Sequence, residues 1–294
     1  MELRHLRYFV AVAESGSFTQ AAEQRLHTAQ PSLSRQIREL EMEVGVQLLE
    51  REARGISLTP AGRVFLDHAR LALLQVDAAA EAARLAAKPG KPVFVVGFLM
   101  GQEVAWLPET LRILREEGPD VEIMIVSQSS PQLAAALMQG RVDVAFLRRE
   151  RSTTGLEFRL LVSEPLLVLL PAGHRLARSK SIQPQLLEGE KYISPARSAP
   201  VLQAVIEAYA KKACITLQPE YDAENLSAAM SLVASTGGVT LFPFYVQNIL
   251  TRSVVARPLR GEQPMIDLVM GFKKSNTAPL LARLLARANE LVHR

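Results

Sequence analysis

Apolar residues recur at helical spacing through the first part of the chain and at strand spacing beyond it. Leu3, Leu6, Phe9 and Val12 form one stripe of an amphipathic helix that stops at Ser15-Gly16. Ser17, three residues before Gln20, opens a second helix through Ala21 and Ala22 with a capping-box pattern. After a break at His27, Leu33, Ile37 and Leu40 recur at i, i+4 and i+7 and predict a third helix. Thr28 is its expected N-cap, and Pro31 falls in the first turn, where a missing N–H costs nothing. The rest of that helix presents Gln30, Ser32, Ser34, Arg35 and Gln36, a short face of hydrogen-bonding groups. Two short helices joined by a tight turn, the second with such a face, make a helix-turn-helix. Apolar segments at 48–51 and 56–58 flank Glu52-Ala53-Arg54-Gly55 and predict a two-stranded wing.

Thr59-Pro60 reads as a helix start, and ten alanines follow before Lys88-Pro89-Gly90. The predicted helix has roughly 28 residues and a length of about 42 Å. Val64, Leu71, Ala78 and Leu85 recur every seven residues along it, the spacing of a seam that pairs with a second helix. Beyond the hinge at 88–90, strands are predicted at 93–98, 121–127 and 143–147, with helices at 103–115 and 132–138 between them. Such alternation predicts a parallel, doubly wound sheet. Strands at 158–162, 165–170, 217–221, 238–242 and 265–272 and helices at 201–211, 224–234 and 278–293 complete the pattern. The expected domains are residues 1–59, a linker helix at 60–88, and a two-lobed unit at 89–294, with one lobe at about 91–162 and 268–294 and the other at about 163–267.

Composition narrows the function. A chain of 294 residues that is 48% hydrophobic and 5% aromatic is an ordinary globular protein. No run of about 18 uncharged apolar residues occurs, so neither a membrane span nor export is expected, and the cytoplasm is the expected location. One cysteine, Cys214, excludes an internal disulfide, and five scattered histidines suggest no metal cluster. The net charge of +4 does not by itself mark a nucleic-acid binder, because residues 1–60 hold seven arginines, no lysine and eight acids. DNA binding there depends on where the arginines are placed. No Ser-His-Asp set, metal-ligand cluster, P-loop or dinucleotide fingerprint is present, so an enzyme is not expected. A transport binding protein would fit the second half of the chain but leaves the first sixty residues without a use.

The order Phe18, Ala21-Ala22, Leu26, Gln30, Ser34, Ile37, Leu40-Glu41, Gly45, Leu48-Leu49, Arg51, Leu58-Thr59 and Gly62 resembles the N-terminal signature of LysR-type transcriptional regulators. The resemblance extends over the whole chain. It implies an N-terminal winged helix-turn-helix, a long linker helix that dimerises, and a two-lobed α/β effector domain like a periplasmic binding protein. Such chains assemble as a homotetramer, a dimer of dimers, bind promoter DNA, and work with RNA polymerase. The stretches MELRHLRYFVAVAE and LHTAQPSLSRQIRELE are most similar to the branch that senses aromatic acids and related small carboxylates. In one respect the chain departs from the family: the leucine lies four residues after Ala22 rather than three, an insertion near Gln24.

The candidate DNA contacts are Thr28, Gln30, Pro31, Ser32, Ser34, Arg35 and Gln36, with Arg51 and Arg54 from the wing. They supply donors for base edges and a helix N-terminus or cations for phosphates. The dimer seam is expected at Val64, Leu71, Ala78 and Leu85. No cofactor is expected; the ligand is a small organic acid. It belongs where strand ends face the other lobe. The residues placed there are Leu99, Met100, Gly101 and Gln102 after the first strand, Ser129 and Ser130 after the second, Arg148 after the third, and Pro195 and Phe242 opposite. Helix starts at Gly101 and Ser130, with Arg148, would suit a carboxylate. The same serines could instead be caps and Arg148 a member of an interlobe ion pair. The branch commonly has a hydroxyl residue where this chain has Gly101.

Overall fold

The computed structural model describes residues 1–52, 55–86, 91–151, 153–195 and 199–292, in two compact units, Met1–Ala87 and Lys88–Arg294.

In the first unit, helix α1 (Leu3–Ser15) buries Leu6, Phe9 and Val12 and ends at Gly16, whose φ of 63° lets its N–H reach Val12 O. Ser17 caps α2 (Phe18–Gln20), its Oγ accepting from Gln20 N–H at 3.4 Å. The helix then continues as a π-turn over Ala21–Leu26. His27 N–H bonds back five residues to Ala22 O, and Thr28 N–H also reaches Ala22 O at 3.0 Å. A π-turn takes up one extra residue without moving what lies on either side, so the insertion near Gln24 leaves Ala21 and Ala22 fully buried. Helix α3 (Gln30–Val44) follows, and here Ala29, not Thr28, is the N-cap. Because His27 takes up a left-handed φ of 48° to close the π-turn, the cap position falls one residue later than expected.

The wing is β1 (Leu49–Glu52) paired antiparallel with β2 (Gly55–Leu58). Glu41 of α3 fixes it by accepting from Leu48 N–H at 2.8 Å and Leu49 N–H at 3.0 Å. Thr59 Oγ1 donates to Gln47 O and accepts from Gly62 N–H, which starts α4 (Pro60–Ala86). A Cβ on Gly62 would lie 1.9 Å from Leu48 O, so only glycine fits there. α4 belongs to this unit: Leu66 and Ala69 are buried in the same core as Phe9, Leu33 and Ile37, and Phe9 meets Phe65 edge-on at 5.1 Å. Of the heptad residues, Val64 is exposed and Leu71 half-buried. The side chains of Ala78 and Leu85 lie outside the described ones.

The second unit is built on a seven-stranded sheet of order β10-β6-β11-β5-β3-β4, with β9 also on β6. Its strands are β3 (Val93–Leu99), β4 (Glu122–Gln128), β5 (Val144–Leu147), β6 (Leu156–Pro171), β9 (Thr240–Pro243), β10 (Val254–Pro258) and β11 (Met265–Lys273). Only β3 with β4 and β3 with β5 are parallel there; the other pairs are antiparallel. The parallel arrangement expected for the first three strands holds, and antiparallel β11, β6, β9 and β10 extend it into a mixed sheet. One difference is at β6, a single 16-residue strand where two were expected. Glu164-Pro165 reads as a break, yet Pro165 sits where β6 changes partners: β11 lies alongside up to Pro165, and β9 from Leu166 onward. No ladder N–H is missed at such a point.

Two cores result. One holds Phe98, Phe146, Leu161, Leu268 and Met270, with Phe98 stacked on Phe146 at 4.7 Å. The other holds Leu166 to Leu170, Ile193, Val233, Leu241 and Ile266. β6 and β11 run through both. Around them lie α5 (Glu103–Glu117) and α6 (Ser130–Met138) on the first lobe, with β7 (Tyr192–Pro195), α7 (Pro200–Lys212), β8 (Pro219–Ala223) and α8 (Leu226–Thr236) on the second. β7 and β8 form a small parallel pair of their own. The final helix, expected to run unbroken, divides at Arg287 into α9 (Pro279–Ala286) and α10 (Ala288–Val292).

Candidate functional site

On α3 the first turns expose Gln30, Pro31, Ser32 and Arg35, and Thr28 is half-buried just before them. The N-terminal N–H groups of a helix have no intrahelical acceptor, so amides, a hydroxyl and a guanidinium share one end of α3. Arg35 is 79% exposed and its Nε donates to Glu39 Oε1 at 2.8 Å, one turn on. Gln36 is half-buried: its Oε1 meets His5 Nε2 at 3.1 Å and its Nε2 donates to Glu39 Oε2 at 2.8 Å. Ser34 does not join this face. It is 4% exposed, and its Oγ accepts from Arg38 Nη2 at 3.3 Å; it lies three residues before buried Ile37, on the same side of the helix. Arg38, one turn beyond Arg35 and exposed, was not expected; its i+3 spacing from Arg35 was the available signal. Arg51 lies on β1, while its side chain, and the whole of Arg54, fall outside the described residues.

In the second unit a cavity of about 270 Å³ separates the two cores. Leu99, Met100, Ser129, Ser130 and Arg148 line it from the first lobe, and Pro195 and Phe242 from the second. Residues 196–198, which follow Pro195, lie outside the described ones. Sequence reasoning missed Gln132 and Glu150 on one side, and Val201, Leu202, Glu224, Asn225, Leu226 and Tyr245 on the other. Most of these sit at the starts of α7 and α8, which the strand-end rule does not reach.

Gly101 and Gln102 are not in the wall. Gly101 N–H is taken by Glu103 Oε2 at 2.7 Å, so the start of α5 already holds a carboxylate. The Gly101 φ is 90°, and a Cβ there would meet Tyr245 Cε2 at 3.0 Å and Ile249 Cδ1 at 3.2 Å. Gln102 is buried, accepts from Trp106 Nε1 at 3.0 Å and donates to Glu164 Oε1 at 3.2 Å. Glu164 is the centre of this network. Arg148 Nη2 donates to its Oε1 at 2.5 Å and Tyr245 N–H to its Oε2 at 2.8 Å, with the side chains of Arg148 and Glu164 only 4% and 8% exposed. The Arg148 charge is therefore compensated inside the protein.

At the start of α6, Ser129 forms a capping box with Gln132. The Ser130 Oγ accepts from Arg148 N–H at 2.9 Å, which leaves its hydroxyl proton as a donor. Tyr245 Oη donates to Met100 O at 3.4 Å, and burial holds its hydroxyl well above the ordinary pKa. The cleft thus offers one uncommitted hydroxyl proton, on Ser130, the start of one helix and a largely apolar lining. Among the described residues no cluster of His, Cys, Asp or Glu could hold a metal, and no helix is long and apolar enough to cross a membrane.

Residues 3–63 match the family described as bacterial regulatory helix-turn-helix protein, lysR family, and residues 87–291 match the LysR substrate binding domain. The Hca operon transcriptional activator HcaR of Escherichia coli is 40% identical over 99% of this chain and 98% of its own. Among solved structures, full-length BenM superposes with a TM-score of 0.60 at 29% identity, covering 99% of this chain and 96% of that one. Full-length CbnR complexed with its target DNA gives 0.58 at 27% identity, over 99% and 100%.

Proposed function

The chain belongs to the LysR family of bacterial transcriptional regulators, and from that premise we propose that a small organic acid, held between the two lobes, controls its binding to promoter DNA. In this reading α3 enters the major groove with Gln30, Ser32 and Arg35 toward base edges, and Arg38 toward phosphate. Arg35 exchanges Glu39 for DNA at little cost, since an exposed i,i+4 pair contributes only about 0.3 to 0.5 kcal/mol. Ser34 supports the helix from within.

The observation that carries the effector half is the cavity itself. Its volume, near 270 Å³, lies just below the roughly 300–1,000 Å³ usual for small-molecule sites, which suits a ligand of about one ring. Leu99, Met100, Leu202 and Phe242 cover the ring. The acid end meets the start of α6, where Ser130 supplies a hydroxyl donor. Arg148 acts through Ser130 and Glu164 rather than as a free cation. Ligand that touches both lobes favours one lobe angle over another, and oligomers joined through the exposed Val64 and half-buried Leu71 of α4 carry that angle to the DNA. RNA polymerase is the partner that reads the result.

The test is a thermal-shift panel of aromatic and aliphatic acids on the full chain, paired with a gel shift on genomic promoter fragments. At least one aromatic acid is expected to raise the melting point, by mass action, and one fragment to be retarded. No shift with any acid would remove the effector half; no retarded fragment would remove the DNA half.

A further inference from the structure

Glu150 stands where β5 has ended, two residues past Arg148, on the wall of the cleft. Its backbone is fixed by Thr153 Oγ1, which donates to Glu150 O at 3.2 Å. Its side chain is half-buried, and Oε1 is shut off from solvent with no hydrogen-bond partner. Buried acceptors are seldom left in that state. None of the nearby cations relieves it. Arg148 is committed to Glu164, and the Arg149 guanidinium lies 5.4 Å over the Phe158 ring. Glu224 adds a second carboxylate to the lining. The cleft wall therefore carries a carboxyl group with one oxygen unpartnered behind its surface, and the rest of the wall is mostly apolar.

We propose that Glu150 is the specificity residue of this cleft: its carboxylate accepts a hydrogen bond from a hydroxyl on the effector, so the preferred class is a ring-hydroxylated aromatic acid rather than an unsubstituted one. The inference rests on the reading of the cleft as the effector site. An unsubstituted ring offers the Glu150 carboxyl no donor, whereas a phenolic O–H does once the carboxyl turns its unpartnered oxygen toward the cleft. A phenol is the better donor for an ionised acceptor, because charge-assisted hydrogen bonds are about twice as strong as neutral ones.

Calorimetric titration of the full chain with benzoate against hydroxybenzoates, and with cinnamate against hydroxycinnamates, tests it. At least one hydroxylated acid should bind the parent roughly tenfold more tightly than its unsubstituted counterpart, the scale of one hydrogen bond to a charged group. Glu150→Leu should bring that pair to within about twofold, and should fold, since it deletes an unpaired group. Glu150→Gln, which keeps an acceptor oxygen, should retain part of the preference. A preference undiminished in Glu150→Leu, or acids that bind the parent without regard to the hydroxyl, would overturn the role of Glu150 and leave the cleft reading standing. If no acid binds the parent, both fall together.

Discussion

Replacing Arg148 by Met should cost the second unit about 3 kcal/mol of stability, and the figure follows from what is left behind. Arg148 and Glu164 are a pair with side chains 4% and 8% exposed. Removing one partner of a buried ion pair typically costs about 3 to 5 kcal/mol, because a charge remains without its counterion. Glu164 keeps two neutral donors, Tyr245 N–H at 2.8 Å and Gln102 Nε2 at 3.2 Å, which places the loss at the lower end. Relative to a total of about 5 to 15 kcal/mol for a folded domain, that is a large fraction. Adding Glu164→Gln removes the stranded charge, so the double variant should recover at least half of the loss despite carrying two changes. The assay is urea unfolding followed by fluorescence of Trp106, the chain's only tryptophan, whose Nε1 donates to Gln102 and so sits two hydrogen bonds from Glu164. A midpoint for Arg148→Met equal to the parent's, or a double variant as unstable as the sum of the two singles, would refute the reasoning that the pair is buried and mutually dependent.

Gly101→Ser adds the hydroxyl common in the aromatic-acid branch, yet it should weaken rather than tighten acid binding: a left-handed φ of 90° and a Cβ 3.0 Å from the Tyr245 ring cost about 1 to 3 kcal/mol, visible as a lower Trp106 melting point and a higher Kd. Arg35→Ala should lose about 1 to 3 kcal/mol of specific DNA affinity if it pairs with a base, or lower the salt slope by about one if it holds phosphate, while anisotropy unchanged in both respects would remove Arg35 from the interface. Glu14 accepts from Arg70 at 2.8 Å and Arg25 at 2.5 Å, and those bonds, Arg70's first, hold its carboxyl below the ordinary 4.5. Since a depressed folded pKa gives stability that is present above the unfolded value and lost as pH falls through the folded one, Glu14→Gln should melt below the parent at pH 7, with the gap narrowing as pH falls below the ordinary 4.5; a gap that does not change with pH would contradict this.

Local patterns in the sequence reached the elements whose partners lie close by. The helix-turn-helix was legible because Leu33, Ile37 and Leu40 set the buried side of α3 and Gly45 its end. The extra residue near Gln24 could be seen, but not its absorption into a π-turn, which depends on Ala21 and Ala22 being held in the core. A serine beside an apolar stripe looks alike whether it faces the core or solvent, and Ser34 is buried. In the cleft, Ser129, Ser130 and Arg148 follow from strand ends, and the alternative in which Arg148 joins an ion pair is the one its contacts describe. What could not be read was distant in sequence: Glu164 meets Gln102 across 62 positions, and Tyr245 closes over Gly101 from the far lobe. Glu150 carries no local signal, since its distinction is the lack of a partner.

The central claim, that an acid in the cleft governs the hold of α3 on DNA, is tested most directly by footprinting the full chain on a promoter fragment it retards, across a titration with an acid that raises its melting point. The protected region or its occupancy should change over the same acid concentrations that saturate the cleft as read by Trp106. Protection that stays identical from zero to saturating acid would contradict it.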